Sequence, residues 1–214
     1  LKKVILKLTV LLMVIPMIFN FGDAKANEFV SQNQKLSESA VQLKWDLRKL
    51  WIDHTIWTRN YIVSALADLD DKDKVLERLL KNQEDIGKAI QPFYGKDAGD
   101  KLTLLLKDHI LIAGKIVDAA KKGDQAAVNK HNKEWYQNAD DIAKFLSQAN
   151  PNWKEQDLKD LLYMHLALVT DDVVARIKKD WDADIIAFDK GEEHIIVLAD
   201  ALSDGIVKQF PEKF

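Results

Sequence analysis

The chain contains no cysteine. That excludes disulfides, thiolate metal sites, a cysteine nucleophile and a lipid-modified cysteine anchor. Only 8 glycines and 4 prolines punctuate 214 residues. Those are too few turn signals for an all-β chain, so helices are favoured. No glycine-rich phosphate loop of the P-loop or Rossmann type occurs, and no Gly-x-Ser-x-Gly elbow. Neither charge sign dominates. The formal net charge is −3, which argues against a nucleic-acid partner. With 47% apolar and 30% charged residues, the chain has an ordinary globular balance and can bury a sizeable core.

Long hydrophobic runs are absent except at the start. Lys2 and Lys3 precede an apolar run over residues 8–21, and Ala24-Lys25-Ala26 follows with small-x-small spacing. This is the order of a secretory signal: basic region, apolar region, cleavage site. The run holds Pro16 and is shorter than a comfortable membrane span. A retained N-terminal anchor is the alternative. The expected division is a signal peptide at 1–26, a polar lead-in at 27–38 and a single helical-bundle domain at 39–214. Cleavage removes four lysines and one aspartate, taking the formal charge from −3 to −6. The expected location is secreted or periplasmic, with no stable membrane span after cleavage. ATP-dependent chemistry is not expected there.

From residue 39 the chain reads as helix after helix. Breaks are expected near residues 68–73, 93–99, 122–124, 150–153 and 178–180, mostly at Gly or Pro. The last break has neither, so helices five and six could run on as one. Between breaks, apolar residues recur at spacings of three and four, one buried stripe per helix. Helix one carries Leu47, Trp51, His54, Thr58 and Tyr61. Helix three carries Leu102, Leu105, His109 and Ile112, and helix five Leu158, Leu162, His165 and Val169, then Asp172. Helix two has Leu79, Asn82 and Ile86; helix four has Trp135, Asn138 and Ile142. Helix six has Trp181, Ile185, Phe188, Glu192 and Ile195. The segments 82–88 and 138–144 match at Asn, acid, Asp, Ile, small and Lys. Each even helix is followed by a proline and an aromatic: Pro92-Phe93, Pro151 with Trp153, Pro211 with Phe214. The pattern predicts an all-α, up-and-down bundle of about six helices, built from three repeated helical hairpins of about 55 residues each.

The stripe polar residues are His54, Asn82, His109, Asn138, His165 and Glu192, separated by 28, 27, 29, 27 and 27 residues. Each lies about 14 residues from its turns, about 21 Å at 1.5 Å per residue. In an up-and-down bundle that sets all six at one level. Two readings compete. In the preferred one, His, Asn and Glu satisfy one another as a buried network that fixes register. In the other, His54, His109, His165 and Glu192 hold one divalent transition metal (Zn, Fe or Mn), with Asn82 and Asn138 behind them. A metal with an open coordination position could activate water, as in a hydrolase. Against the metal, Glu-x-x-His pairs of the di-iron type are missing, and Glu193-His194 are adjacent and face apart.

Other residues carry less. Asp53 and Asp108 each precede a layer histidine and read as solvated acids. Arg59 is expected to meet a buried acid, Asp172 or Asp189, or to contact an anion. His131 and His194 fall outside the pattern and read as surface histidines. Trp51, Trp57, Trp135 and Trp181 read as core filler rather than a haem or flavin slot.

Leu50-Trp51, His54, Trp57-Thr58-Arg59, Leu79-Leu80-Lys81-Asn82, Pro92-Phe93-Tyr94-Gly95, Trp135-Tyr136, Asn138-Ala139-Asp140 and the ending Gly205-Ile206, Gln209-Phe210-Pro211, Phe214 resemble a family of small secreted bacterial helical-bundle proteins. The resemblance covers about residue 47 to the C-terminus. It implies an extracytoplasmic all-helical protein and leaves activity open. Members of that uncharacterised family carry labels such as glycosyltransferase or acetylglutamate kinase. This sequence supports neither, lacking an α/β nucleotide-sugar domain and a nucleotide site. Met164 and Val169 stand where such relatives often carry an acid or a threonine, which weakens a full ligand set from helix five.

Overall fold

The computed structural model describes residues 37–214. The expected signal peptide and all of the lead-in but Ser37 and Glu38 lie outside them. Six helices follow: α1 Glu38–Leu66, α2 Lys72–Tyr94, α3 Lys96–Lys121, α4 Gln125–Ala149, α5 Glu155–Lys178 and α6 Trp181–Gln209, then a 3-10 turn Pro211–Lys213. No strand occurs among the described residues. Each helix packs against the next, and α6 packs back on α1 to close the ring. Across the interior, α1 also reaches α3 and α5. This is the expected all-α bundle. Among the described residues, no helix is long and apolar enough to cross a membrane.

The helix ends have local causes. Ser37, Asp124 and Asp180 each accept a backbone N–H three residues on, at 3.1, 3.0 and 3.1 Å. They satisfy donors that α1, α4 and α6 would otherwise leave bare. Gly95 and Gly123 take φ of +83° and +69°, the left-handed region where a Cβ is costly. Helices α5 and α6 are separate, although no Gly or Pro divides them: Lys179 itself adopts φ +59°. The breaks therefore fall where expected, and the α2–α3 connection shrinks to Gly95 alone. Pro92 lies in the last turn of α2 rather than after it.

The lower end of the bundle holds the start of α1, the turns α2–α3 and α4–α5, and the C-terminus. Here the proline–aromatic signatures meet. Phe93 packs on Phe210 and Phe214 at ring separations of 5.9 and 5.7 Å, and Tyr94 on Trp153 and Phe210 at 5.7 and 5.4 Å. The Tyr94 hydroxyl donates to Gln209 and accepts from the buried Asn150 amide, at 2.8 and 2.9 Å. Arg48 grips Asp200 with two bonds of 2.6 Å, joining α1 to α6.

Helix six is rotated from its expected phase. Trp181 and Ile185 are more than half exposed, while Asp184, Ala187, Gly191, Ile195 and Leu198 are buried. Trp181 is thus not core filler; it lies under the Arg176 guanidinium at 5.6 Å. The rotation brings Asp184 inward, where Arg59 and Arg176 both bond it.

Two close approaches require glycine. Gly87 and Gly99 face each other across α2 and α3, where a Cβ on either would meet the other's carbonyl oxygen at 2.5 Å. At Gly205 a Cβ would come within 1.8 Å of Trp153 Nε1. That indole is buried and donates to the Ala201 carbonyl at 3.1 Å. Gly205→Ala should therefore cost about 1–3 kcal/mol in urea unfolding despite its better helix propensity. In a Trp153→Leu background the same change should cost distinctly less; equal costs would show that the indole does not set the requirement.

Candidate functional site

The histidines of the three odd helices meet inside the ring. His54 lies 5.4 Å from His165 between ring centroids, and His165 lies 6.1 Å from His109. All three are buried. Burial pushes His54 down to about 3 and His109 to about 4, and holds His165 well below its ordinary value; neighbouring imidazoles add to the effect on His54 and His165. All three are therefore neutral at physiological pH.

The even helices bring hydrogen bonds to this level. Asn138 Nδ2 donates to the Leu105 carbonyl at 3.0 Å, which turns its Oδ1 to His109 Nδ1 at 2.7 Å. That contact assigns the His109 proton to Nδ1 and leaves Nε2 as a bare lone pair. Asn82 Nδ2 likewise donates to the Leu50 carbonyl at 3.0 Å. Its Oδ1, however, accepts from Gln83 Nε2 at 3.0 Å. Gln83 occupies the position of Ala139 in the matching segment. His54 Nδ1 and Gln83 Oε1 are both buried and neither makes a hydrogen bond of good geometry, although Gln83 stands close enough to oppose, in part, the effect of burial on His54. The sequence held one signal of this: a glutamine beside Asn82 where the matching segment has alanine.

In the third hairpin the corresponding donor is His194, not Glu192. His194 Nε2 donates to the Leu161 carbonyl at 2.8 Å. Leu50, Leu105 and Leu161 each stand four residues before a layer histidine, so one relation recurs in all three hairpins. Glu192 is only half buried. Two residues from His194, it projects from a different side of α6. The structure thus brings His54, His109 and His165 together, sets Asn82 and Asn138 beside them, and leaves Glu192 on the flank. His131 binds Glu134 at 2.8 Å, and Asp53 binds Lys49 at 2.7 Å. Asp108 is exposed. Neither acid serves a histidine.

Above the layer, Arg59 makes the expected ion pair with Asp172, but its second acid is Asp184 rather than the exposed Asp189. Arg59 bonds Asp184 again at 2.7 Å, and Arg176 adds a contact to it at 2.9 Å. Burial raises the Asp172 carboxyl to about 7, and the adjacent Asp184 helps. Burial also works against the Asp184 charge, but Arg59 and Arg176 overcome it and hold that carboxyl below its usual range. At neutral pH Asp184 is therefore ionised and Asp172 about half protonated.

The layer separates two apolar cores. The lower one is extensive, running from Leu47 and Trp51 to Leu202 and Ile206. The upper one is smaller, centred on Tyr61, Ile62, Leu79, Ile110, Val117 and Val173. It contains an apolar cavity of about 90 Å³. A second space of about 20 Å³ lies between Thr55, Thr58, Arg59, His165 and Asp172, enough for one water among polar partners.

Among the described residues, no cluster of three or more His, Asp or Glu side chains is arranged to hold a metal. Comparison with family models, with curated proteins and with solved structures gives no match.

Two outcomes check the electrostatics. Imidazoles held below their unfolded values contribute stability that is full above about pH 6.5 and lost as acid protonates the unfolded chain first. Each of the three should lose about 2 kcal/mol between pH 7 and pH 5, and Asp172, shifted oppositely, should return about as much as one histidine loses. Urea unfolding should thus weaken by roughly 4 kcal/mol over that range, and by about 2 kcal/mol less in His165→Leu. Arg59→Ala, which strands two buried acids, should cost about 3–5 kcal/mol at pH 7. Asp172→Asn should cost much less, since that carboxyl is already about half protonated.

Proposed function

We propose that the protein is an extracytoplasmic binding or structural protein whose buried His/Asn layer is a structural network. The observation that carries this reading is the repeated clamp: Asn82, Asn138 and His194 each bond the carbonyl four residues before a layer histidine. Such bonds fix the rotation and register of each helix pair. The location rests on the leader pattern at residues 1–26. The resemblance to small secreted bacterial proteins points the same way.

A second reading keeps the three imidazoles as ligands for one divalent metal, Zn, Fe or Mn. The three imidazoles stand near one another, with ring separations of 5.4 and 6.1 Å, but not as a ligand cluster. What favours this reading is the Nδ1 proton of His109, held by Asn138, which presents Nε2 as a lone pair. Glu192 does not stand with them. A hydrolytic role would further need an open coordination position.

Elemental analysis of the mature protein from its natural compartment, beside His109→Ala, separates the two. The structural reading expects no stoichiometric metal, a Tm unaffected by chelator, and a less stable variant. About one equivalent of metal, lost in the variant together with chelator-sensitive stability, would replace it with the metal reading.

A further inference from the structure

Gly191 has no steric reason to be glycine. At Gly87, Gly99 and Gly205 a Cβ would strike a neighbour, but at Gly191 it would meet nothing within 4 Å. Gly191 is nevertheless buried, in the middle of α6, where glycine weakens a helix. It lines the space of about 20 Å³ that it shares with His165, Asp172 and Arg59. His194 joins α6 to the Leu161 carbonyl on one side of that level, and Arg59 joins Asp184 to Asp172 on the other. Gly191 therefore falls opposite His165, which is 4% exposed. The polar atoms sealed without a partner include Thr58 Oγ1 but neither His165 nitrogen nor Asp172 Oδ2. Those three atoms make no hydrogen bond among the described residues and yet keep accessible surface, and the space that both residues line is where it opens. In the second hairpin Asn138 clamps a carbonyl and also accepts from His109. In the third, His194 clamps its carbonyl and His165 gains no bond, which leaves an imidazole N–H and a lone pair to satisfy.

We propose that this space is a binding site for one water molecule, which accepts from the His165 N–H and donates to the Asp172 carboxyl. The size selects the occupant: a water needs roughly 10–15 Å³ of such volume, and about 20 Å³ holds one and no organic molecule. Charge selects it too. The Arg59 guanidinium in the wall disfavours a cation, and the Asp172 carboxyl disfavours an anion. A neutral molecule that both donates and accepts answers both walls. The wall also includes the half-buried Leu168 and Phe188, so the space lies close beneath the surface. The water does for His165 what Asn138 Oδ1 does for His109: it receives the ring proton and sets the tautomer. It also joins the histidine layer to the Arg59 acid pair. Glycine at 191 keeps the water's place, because a methyl group there would take up a volume that holds a single molecule.

Two measurements on the full chain test it. The first is NMR cross-relaxation between water and the ring C–H protons of the histidines. His165 should show a water signal with NOE and ROE of opposite sign, the mark of a long-resident molecule. In Gly191→Ala, with circular dichroism unchanged, that signal should vanish. The second is the Tm of Gly191→Ala beside Gly191→Ser. At an ordinary helix position alanine outranks serine. Here the serine hydroxyl takes over the water's bonds while the alanine methyl leaves His165 bare, so the serine variant should melt at least as high as the alanine one. The proposal is overturned if the unaltered protein shows no long-resident water at His165, or if the signal persists in folded Gly191→Ala. It is equally overturned if Gly191→Ala melts above Gly191→Ser, the order expected when a methyl merely fills dry space.

Discussion

Everything inside the ring depends on one contact made three times: a side-chain N–H from an even helix to the carbonyl four residues before a histidine on the preceding odd helix. In an α-helix that carbonyl already accepts the histidine's own N–H. The second bond uses its other lone pair and so costs the helix nothing. It also leaves little freedom. Sliding one helix by a residue turns it by about 100° and moves it 1.5 Å, which strands a buried amide at about 1–3 kcal/mol. Apolar stripes alone tolerate such slips, because one leucine face resembles the next. The polar clamp does not, and it therefore decides which way the imidazoles point.

Once pointed inward, the imidazoles have little choice of state. They are too deeply buried to charge and too close to one another to share a positive charge. His109 has its tautomer set by Asn138. His54 lacks that service because Gln83 has taken the Asn82 oxygen. The three hairpins thus share a clamp but not a hydrogen-bond pattern around it. The differences are single-residue ones: Gln83 against Ala139, and His194 against an asparagine.

Much of this was legible in the sequence. Spacings of 27 to 29 residues place the layer histidines and asparagines at one level, and three of the five helix breaks carry Gly or Pro. Arg59 stood out as a cation on an apolar face needing a buried acid. The sixth helix was not legible. Its outer face carries Trp181, Ile185 and Ile186, while its inner face carries Asp184. Reading hydrophobicity alone therefore puts the wrong side inward and selects Glu192 over His194. What turns the helix is an ion pair to a residue 125 positions away, and no local periodicity encodes a partner at that distance. Trp153 was visible only as part of a turn. Its burial against Gly205 depends on how close two distant segments come.

Buried polar atoms without a partner occur on both sides of the layer and within it: Trp51 Nε1 in the lower core, His54 Nδ1 and Gln83 Oε1 at the layer, Thr58 Oγ1 above. Below it, the aromatic cap, the Arg48–Asp200 pair and the larger core close the bundle. Above it lie the cavity, the unpaired Thr58 hydroxyl and the acid pair with its half-protonated Asp172. An empty cavity of that size costs about 2 kcal/mol, a large fraction of the margin by which a domain is stable. Enlarging Ala113 or Ala120, both on α3 and both in the cavity wall, would recover it. The acid pair and the cavity are separate features, since no charged residue lines the cavity. The polar layer thus stands between a large lower core closed by aromatic and ionic contacts and a smaller upper core that is less completely filled, and the clamp that sets the layer is what keeps the two in register.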